Sequence, residues 1–201
     1  LSLYLFITIV AIQFFVAYFY SKSRFHYRTT FLLLTICISI YLFGYLMIIN
    51  NNLLEEMIFW NQFQYIVLPF IPALWLLLTL QFTNTSYFIK KPYIFLMFLI
   101  PIITFFIRLT NSIHYFFYQG YQVKPFLGYN TLDMERGPWF YINIFFTILY
   151  ILSSIIIYYL AYKRGQKNYS RPAFLNFFTV SLLPMVAIFL IILLYQRTYI
   201  D

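Results

Sequence analysis

The chain of 201 residues is 63% apolar and 25% aromatic, and only 9% of its residues carry charge. That balance excludes an ordinary soluble domain, which lacks the polar surface to cover so much apolar material, and it points to lipid as the solvent. The formal net charge of +8 sorts by loop, as a membrane imposes, so it gives no reason to invoke nucleic acid as a partner.

About 20 apolar residues cross a bilayer core as a helix. Taken in chain order, the uncharged runs predict six spans, at about 1–20, 31–49, 57–80, 92–109, 139–162 and 174–195. The expected fold class is all-α, a polytopic helical membrane bundle. A transmembrane β-barrel would show alternation in short segments, and runs such as "FLLLTICISI" do not alternate. Residues 1–20 lack a basic start and a small-residue cleavage site, so they read as a retained helix and not a signal peptide. The first connection has Lys22, Arg24 and Arg28, the third Lys90 and Lys91, and the fifth Lys163, Arg164, Lys167 and Arg171. These nine of the thirteen basic residues place odd-numbered connections in the cytoplasm and the N-terminus outside. The long polar connection 108–138 is then outside, with Gly120, Gly128 and Gly137 as turn points. Its length suggests a lid, against the plainer reading of a solvated face. Six spans also bring the C-terminus outside, so control of anything cytoplasmic calls for a seventh helix after Asp201.

Polar groups within spans are costly in hydrocarbon and therefore point to contacts or function. In the third span, Asn61, Gln64, Tyr65, Pro72 and Trp75 fall along one face. In the fifth, Asn143, Thr147, Tyr150 and Ser154 repeat at helical spacing. Gln64 and Asn143 each lie four residues inside a tryptophan, Trp60 and Trp139, or about 6 Å deeper at 1.5 Å per residue. The two stripes are expected to face each other under the outer connection, lining a ligand cavity or simply holding helices together by hydrogen bonds. His114 could titrate near neutral pH, or pack among the aromatics of "HYFFY" and brace the loop. Glu135 and Arg136 are the charged candidates on the lid. Pro69, Pro72 and Pro184 are expected to kink their helices.

Several chemistries are unsupported. His26 and His114 fall on opposite sides of the membrane, and the single cysteine, Cys37, lies mid-span, so no metal site and no internal disulfide is expected. No ionisable residue falls in the central part of any predicted span, whereas proton-coupled transporters usually need one. Phosphate-cradling loops are absent. No cofactor is expected, and no catalytic residue within this segment. A small transporter or channel, or a structural membrane subunit, remains the alternative to a receptor.

The stretch "FWNQFQYIVLPFIPALWLLLTLQFTN" (59–84), followed by a basic turn, a span and "RLTNSIHYFFY" (108–118), resembles the N-terminal seven-transmembrane sensor region of bacterial histidine kinases. The resemblance is carried by Trp60, Gln64, Tyr65, Pro72 and Trp75, then by Thr110, Asn111 and His114, and covers nearly the whole chain in span order. One departure is that Asn61 and Gln62 stand where that family often has a basic residue. The resemblance implies that 1–201 is one transmembrane sensor domain in a bacterial plasma membrane, working as a homodimer. It would detect an extracellular or membrane-borne ligand (a small hydrophobic molecule, a lipid or a peptide) and control a protein histidine kinase beyond residue 201. The residues expected to meet the ligand are Asn61, Gln64, Tyr65, Asn111, His114, Glu135, Arg136, Asn143 and Thr147.

Overall fold

The structure, a computed structural model, describes residues 2–22, 27–85, 91–126 and 128–164, with Asn176 and Thr179 beyond them. In chain order it comprises α1 (Ser2–Lys22), α2 (Arg28–Ile49), α3 (Leu54–Gln64), α4 (Phe70–Phe82), α5 (Lys91–Leu109), α6 (Asn111–His114), β1 (Tyr118–Phe126), β2 (Tyr129–Arg136) and α7 (Pro138–Lys163). Among the described residues, four helices are long and apolar enough to cross a membrane: α1, α2, α5 from Pro92 to Leu109, and α7. The expected spans at 1–20, 31–49, 92–109 and 139–162 correspond to them. The sixth expected span, 174–195 with Pro184, lies outside the described residues except for Asn176 and Thr179.

The helices pack because each has one face that other helices can cover, while the rest remains apolar for lipid. α1 runs antiparallel to α2: Ser2 Oγ donates to Asn50 Oδ1 over 2.9 Å at one end, and the Arg28 guanidinium lies 5.1 Å from the Tyr20 ring at the other. Most of α1 is exposed, including Leu3, Phe14, Phe15 and Tyr18, and Val16 is its buried contact. α4 forms the centre, with Ala73, Leu76 and Leu80 buried against Tyr150 of α7 and flanked by Met97 and Phe98 of α5. The Tyr150 hydroxyl donates to the Met97 carbonyl at 2.8 Å, pinning α7 to α5. At the far end of α4 and α7, Phe82 stacks on Tyr158, with ring centroids 6.0 Å apart.

The third expected span, 57–80, is not one helix. It divides into α3 and α4 across a turn at residues 65–69. Proline explains the division: Pro69 and Pro72 lack the N–H groups that would bond the carbonyls of Tyr65 and Leu68, and their rings crowd the preceding turn. The backbone tightens in response, with Tyr65 N–H bonding Gln62 O at 3.0 Å and Ile66 N–H bonding Phe63 O at 3.1 Å.

The all-α expectation is amended at 108–138. That connection holds α6 and an antiparallel hairpin of β1 and β2, in register from Phe126↔Tyr129 to Gln122↔Asp133 and beyond, with an irregularity between Tyr118 and Gly120. Gly128 takes φ +80° at the turn, a conformation glycine adopts without strain. Lys124 pairs with Asp133 at 2.7 Å, across a face that also carries Gln122. The opposite face presents Tyr121, Val123, Leu132 and Met134, of which Tyr121 and Met134 pack against Tyr65, Phe117 and Tyr118. Asn130 Nδ2 donates to Asn52 Oδ1 at 2.8 Å, fastening the hairpin to the α2–α3 connection.

α2 and α3 meet closely at Gly44, where an added Cβ would sit 2.5 Å from Gln64 Cγ and 3.3 Å from the Trp60 carbonyl oxygen. Gly44→Leu is therefore expected to destabilise the bundle by about 1–3 kcal/mol, the usual cost of overpacking. Thermal unfolding of the purified protein in detergent reads this as a lowered midpoint; an unchanged midpoint would contradict the close approach.

Candidate functional site

The hairpin end of the bundle is built around a cation. On α5, Pro101, Thr104 and Arg108 are all buried and fall at helical spacing along one face. Arg108 occupies the last turn of α5, where the helix dipole favours positive charge, and its side chain turns inward between α3 and the hairpin. It is 1% exposed. Its Nη2 donates to Asn61 Oδ1 at 2.8 Å. The guanidinium carbon lies 5.3 Å from the Tyr65 ring centre, 5.1 Å from that of Tyr118 and 5.9 Å from that of Tyr121. Among the described residues, its Nε and Nη1 atoms have no hydrogen-bond partner.

The chemistry suits arginine and no other residue. A buried charge costs several kcal/mol even after relaxation, and each aromatic face recovers about 0.5–2 kcal/mol. A planar, weakly hydrated guanidinium can stack on rings and still donate in its plane, whereas an ammonium cannot. Asn61 carries the contact further: its Nδ2 lies 3.5 Å from Gln64 Oε1, and Gln64 Nε2 donates to the Tyr41 carbonyl of α2 at 3.0 Å. Arg108, Asn61, Gln64 and Tyr41 thus link α5, α3 and α2 in one polar chain.

The hairpin joins the same cluster. The Tyr65 and Tyr118 hydroxyls lie 2.7 Å apart, and Phe117 packs edge-on to Tyr65 at 4.9 Å and to Phe140 of α7 at 5.8 Å. Asn111 holds the start of β1. Its Oδ1 accepts from the Phe117 and Tyr118 amides at 2.8 and 3.1 Å, while its Nδ2 donates to Tyr118 O at 2.8 Å and to the Tyr121 hydroxyl at 3.3 Å. α7 is fastened by Trp139 Nε1, which donates to Thr104 Oγ1 at 3.1 Å, and by the Gly137 amide, which donates to Phe117 O at 2.8 Å. Burial pushes the Tyr118 phenol up to about 12, against the pull of Arg108, so it remains a neutral hydroxyl at physiological pH.

Of the sequence candidates, Asn61, Gln64 and Tyr65 belong to this cluster. Asn111 belongs as a brace, since both acceptor sites and both donors are already engaged, and this leaves it nothing to offer a ligand. His114 stands outside: its Nδ1 accepts from the Phe116 amide at 3.0 Å and its Nε2 lies 3.1 Å from Thr110 Oγ1, which makes it a local turn brace. Glu135 and Arg136 are exposed on the hairpin, with the Arg136 guanidinium 5.1 Å from the Phe140 ring centre. The expected facing of the two polar stripes is corrected. Gln64 turns onto α2, while the α7 stripe, with Asn143 and Thr147 half-buried, engages α5 through Tyr150. Arg108, Thr104, Tyr118 and Tyr121 were not singled out from the sequence. Their signal was present: a charge and a threonine on one face of an otherwise apolar helix, and tyrosines alternating into a strand.

A pocket of about 20 Å³ opens beside the cation, lined by Gln62, Tyr65, Ile66, Phe105, Arg108 and Leu109. Among the described residues, no group of three or more His, Cys, Asp or Glu is placed to hold a metal ion.

A family model for the N-terminal 7TM region of histidine kinase matches residues 4–201. No curated protein and no solved structure matches the chain.

Asn61→Leu leaves the guanidinium buried without its hydrogen-bond acceptor and is expected to cost about 2–3 kcal/mol. The double variant Asn61→Leu/Arg108→Met removes both polar groups and should recover at least half of that loss, because a matched apolar pair carries no desolvation penalty. Unfolding midpoints of the two variants check the order; a double variant less stable than Asn61→Leu would contradict the assigned contact.

Proposed function

We propose a ligand-sensing role from one premise: the chain belongs to the family of N-terminal 7TM regions of histidine kinases. It is a sensory membrane domain of a signal-transduction protein. In our reading, residues 1–201 form a single sensor domain of a bacterial two-component histidine kinase, with six spans here and a seventh leading to the kinase. The amino end and the hairpin face the exterior, as the loop distribution of Lys and Arg favours. The domain works as a homodimer within the plasma membrane and passes its signal inward through the bundle.

The observation that supports this reading is the polar chain from Arg108 to Tyr41 beneath the hairpin. It ties three helices together at one end of the bundle, next to the helix break at 65–69. In this reading the broken helix, whose two halves are held by different contacts, is the element that changes packing. A ligand acts on such an element only through its different affinity for the two packings, typically about 1–3 kcal/mol.

Orientation is the first requirement. In a Cys37→Ala background, Asn130→Cys on the hairpin should react with a membrane-impermeant maleimide in intact cells, and Lys163→Cys at the end of α7 should react only after permeabilisation. Labelling with the opposite sidedness would remove the receptor reading.

A further inference from the structure

We infer that the pocket beside Arg108 binds the anionic head of an acidic single-chain amphiphile, whose tail leaves between the 65–69 turn and α5 into the bilayer. This deepens the sensory reading above and rests on it for its meaning, although the binding itself is independent.

Three features of the site carry the inference. The first is the cation: Arg108 is wholly buried, and among the described residues no carboxylate pairs with it and Nε and Nη1 have no hydrogen-bond partner. Buried charged donors left unsatisfied are costly, and a carboxylate or phosphate oxygen is the strongest acceptor that a guanidinium can meet. The second is size. A volume of about 20 Å³ holds one water-sized group, which admits one head-group oxygen and excludes a ring.

The third is the way out. Apart from Arg108, Gln62 and the Tyr65 ring, the lining is Ile66, Phe105 and Leu109, and Ile66 and Leu109 are 48% and 58% exposed. Ile66 lies in the turn that the prolines open, and Leu109 ends an apolar span. A soluble anion would gain nothing from these neighbours, whereas a hydrocarbon chain buries about 0.8 kcal/mol worth of surface per methylene wherever it leaves water. Head and tail are therefore recognised by opposite chemistries a few ångströms apart, and Gln62 can meet a second head-group oxygen at the rim.

The test uses the full-length protein in phosphatidylcholine nanodiscs and a hexadecanoate probe with a photoreactive diazirine on its chain. Label mapped by mass spectrometry should concentrate in peptides covering 62–66 and 105–109, and excess tetradecanoate or dodecyl phosphate should remove it. Arg108→Met should lower labelling there at least fivefold while label on α1 stays constant. Ile66→Trp, which narrows the mouth without touching the guanidinium, should do the same and covers the case in which Arg108→Met misfolds. Equal labelling by the matching diazirine alcohol, or labelling unaffected by both substitutions, overturns the proposal. Competition by acetate or inorganic phosphate at the concentration where tetradecanoate competes also overturns it, because the tail would then be irrelevant. Kinase output measured in the same nanodiscs separates the two readings: specific labelling with unchanged output upholds this site and counts against the sensory role alone.

Discussion

A guanidinium buried without a counter-charge among the described residues constrains everything at the hairpin end of this molecule. Arg108 has one amide oxygen and three tyrosine rings to replace the water it has lost. Those four partners come from three places: Asn61 from α3, Tyr65 from the turn that follows it, and Tyr118 and Tyr121 from β1. The cation is tolerable only while all four stay in position, so the α3–α4 break, the hairpin and the end of α5 are fixed relative to one another. Asn111 secures the arrangement from behind by spending its whole hydrogen-bonding capacity on the first residues of β1.

The other end of the bundle is held differently. Around α4 and α7 the contacts are aliphatic and aromatic, with Ala73, Leu76, Leu80 and Tyr150 buried together and Phe82 stacked on Tyr158. Apart from the Tyr150–Met97 hydrogen bond, such packing is non-directional and tolerates small slides. The polar chain at the hairpin end is directional and does not. The bundle thus has one end held by specific polar contacts and one end held mainly by apolar packing. Gln64 joins the cation's chain to α2, because it meets Asn61 on one side and the α2 backbone on the other, with Gly44 allowing the approach.

Much of the fold was legible in the sequence, because apolar length is the dominant signal in a membrane chain. Six spans of about 20 apolar residues were read; four correspond to described helices, Pro69 and Pro72 located the fault in the third, and the sixth lies outside the described residues except for Asn176 and Thr179. The hairpin was harder. Its turn glycine was noted, but the alternation of Tyr121, Val123, Leu132 and Met134 with Gln122, Lys124, Thr131 and Asp133 is brief and was taken for irregular polarity. At the site, Asn61, Gln64 and Tyr65 were found because polar residues are conspicuous inside a span. Arg108 was missed because its position suggested solvent. A charge at the end of an apolar helix ordinarily snorkels to water, and only the tertiary placement of the hairpin over α5 reverses that expectation. The anticipated partnership of Gln64 with Asn143 failed for a related reason: matched depth on two helices says nothing about which neighbours their faces meet.

The central claim is that Arg108 holds the hairpin onto the helices. Hydrogen–deuterium exchange read by mass spectrometry on the detergent-solubilised protein tests it most directly, comparing wild type with Arg108→Met. Amides of 117–126 and 129–136 should exchange at least tenfold faster in the variant, a loosening of about 1.4 kcal/mol, while those of 73–80 and 150–158 keep their rates. Hairpin exchange unchanged by the substitution, or equal acceleration throughout the bundle, would contradict the account.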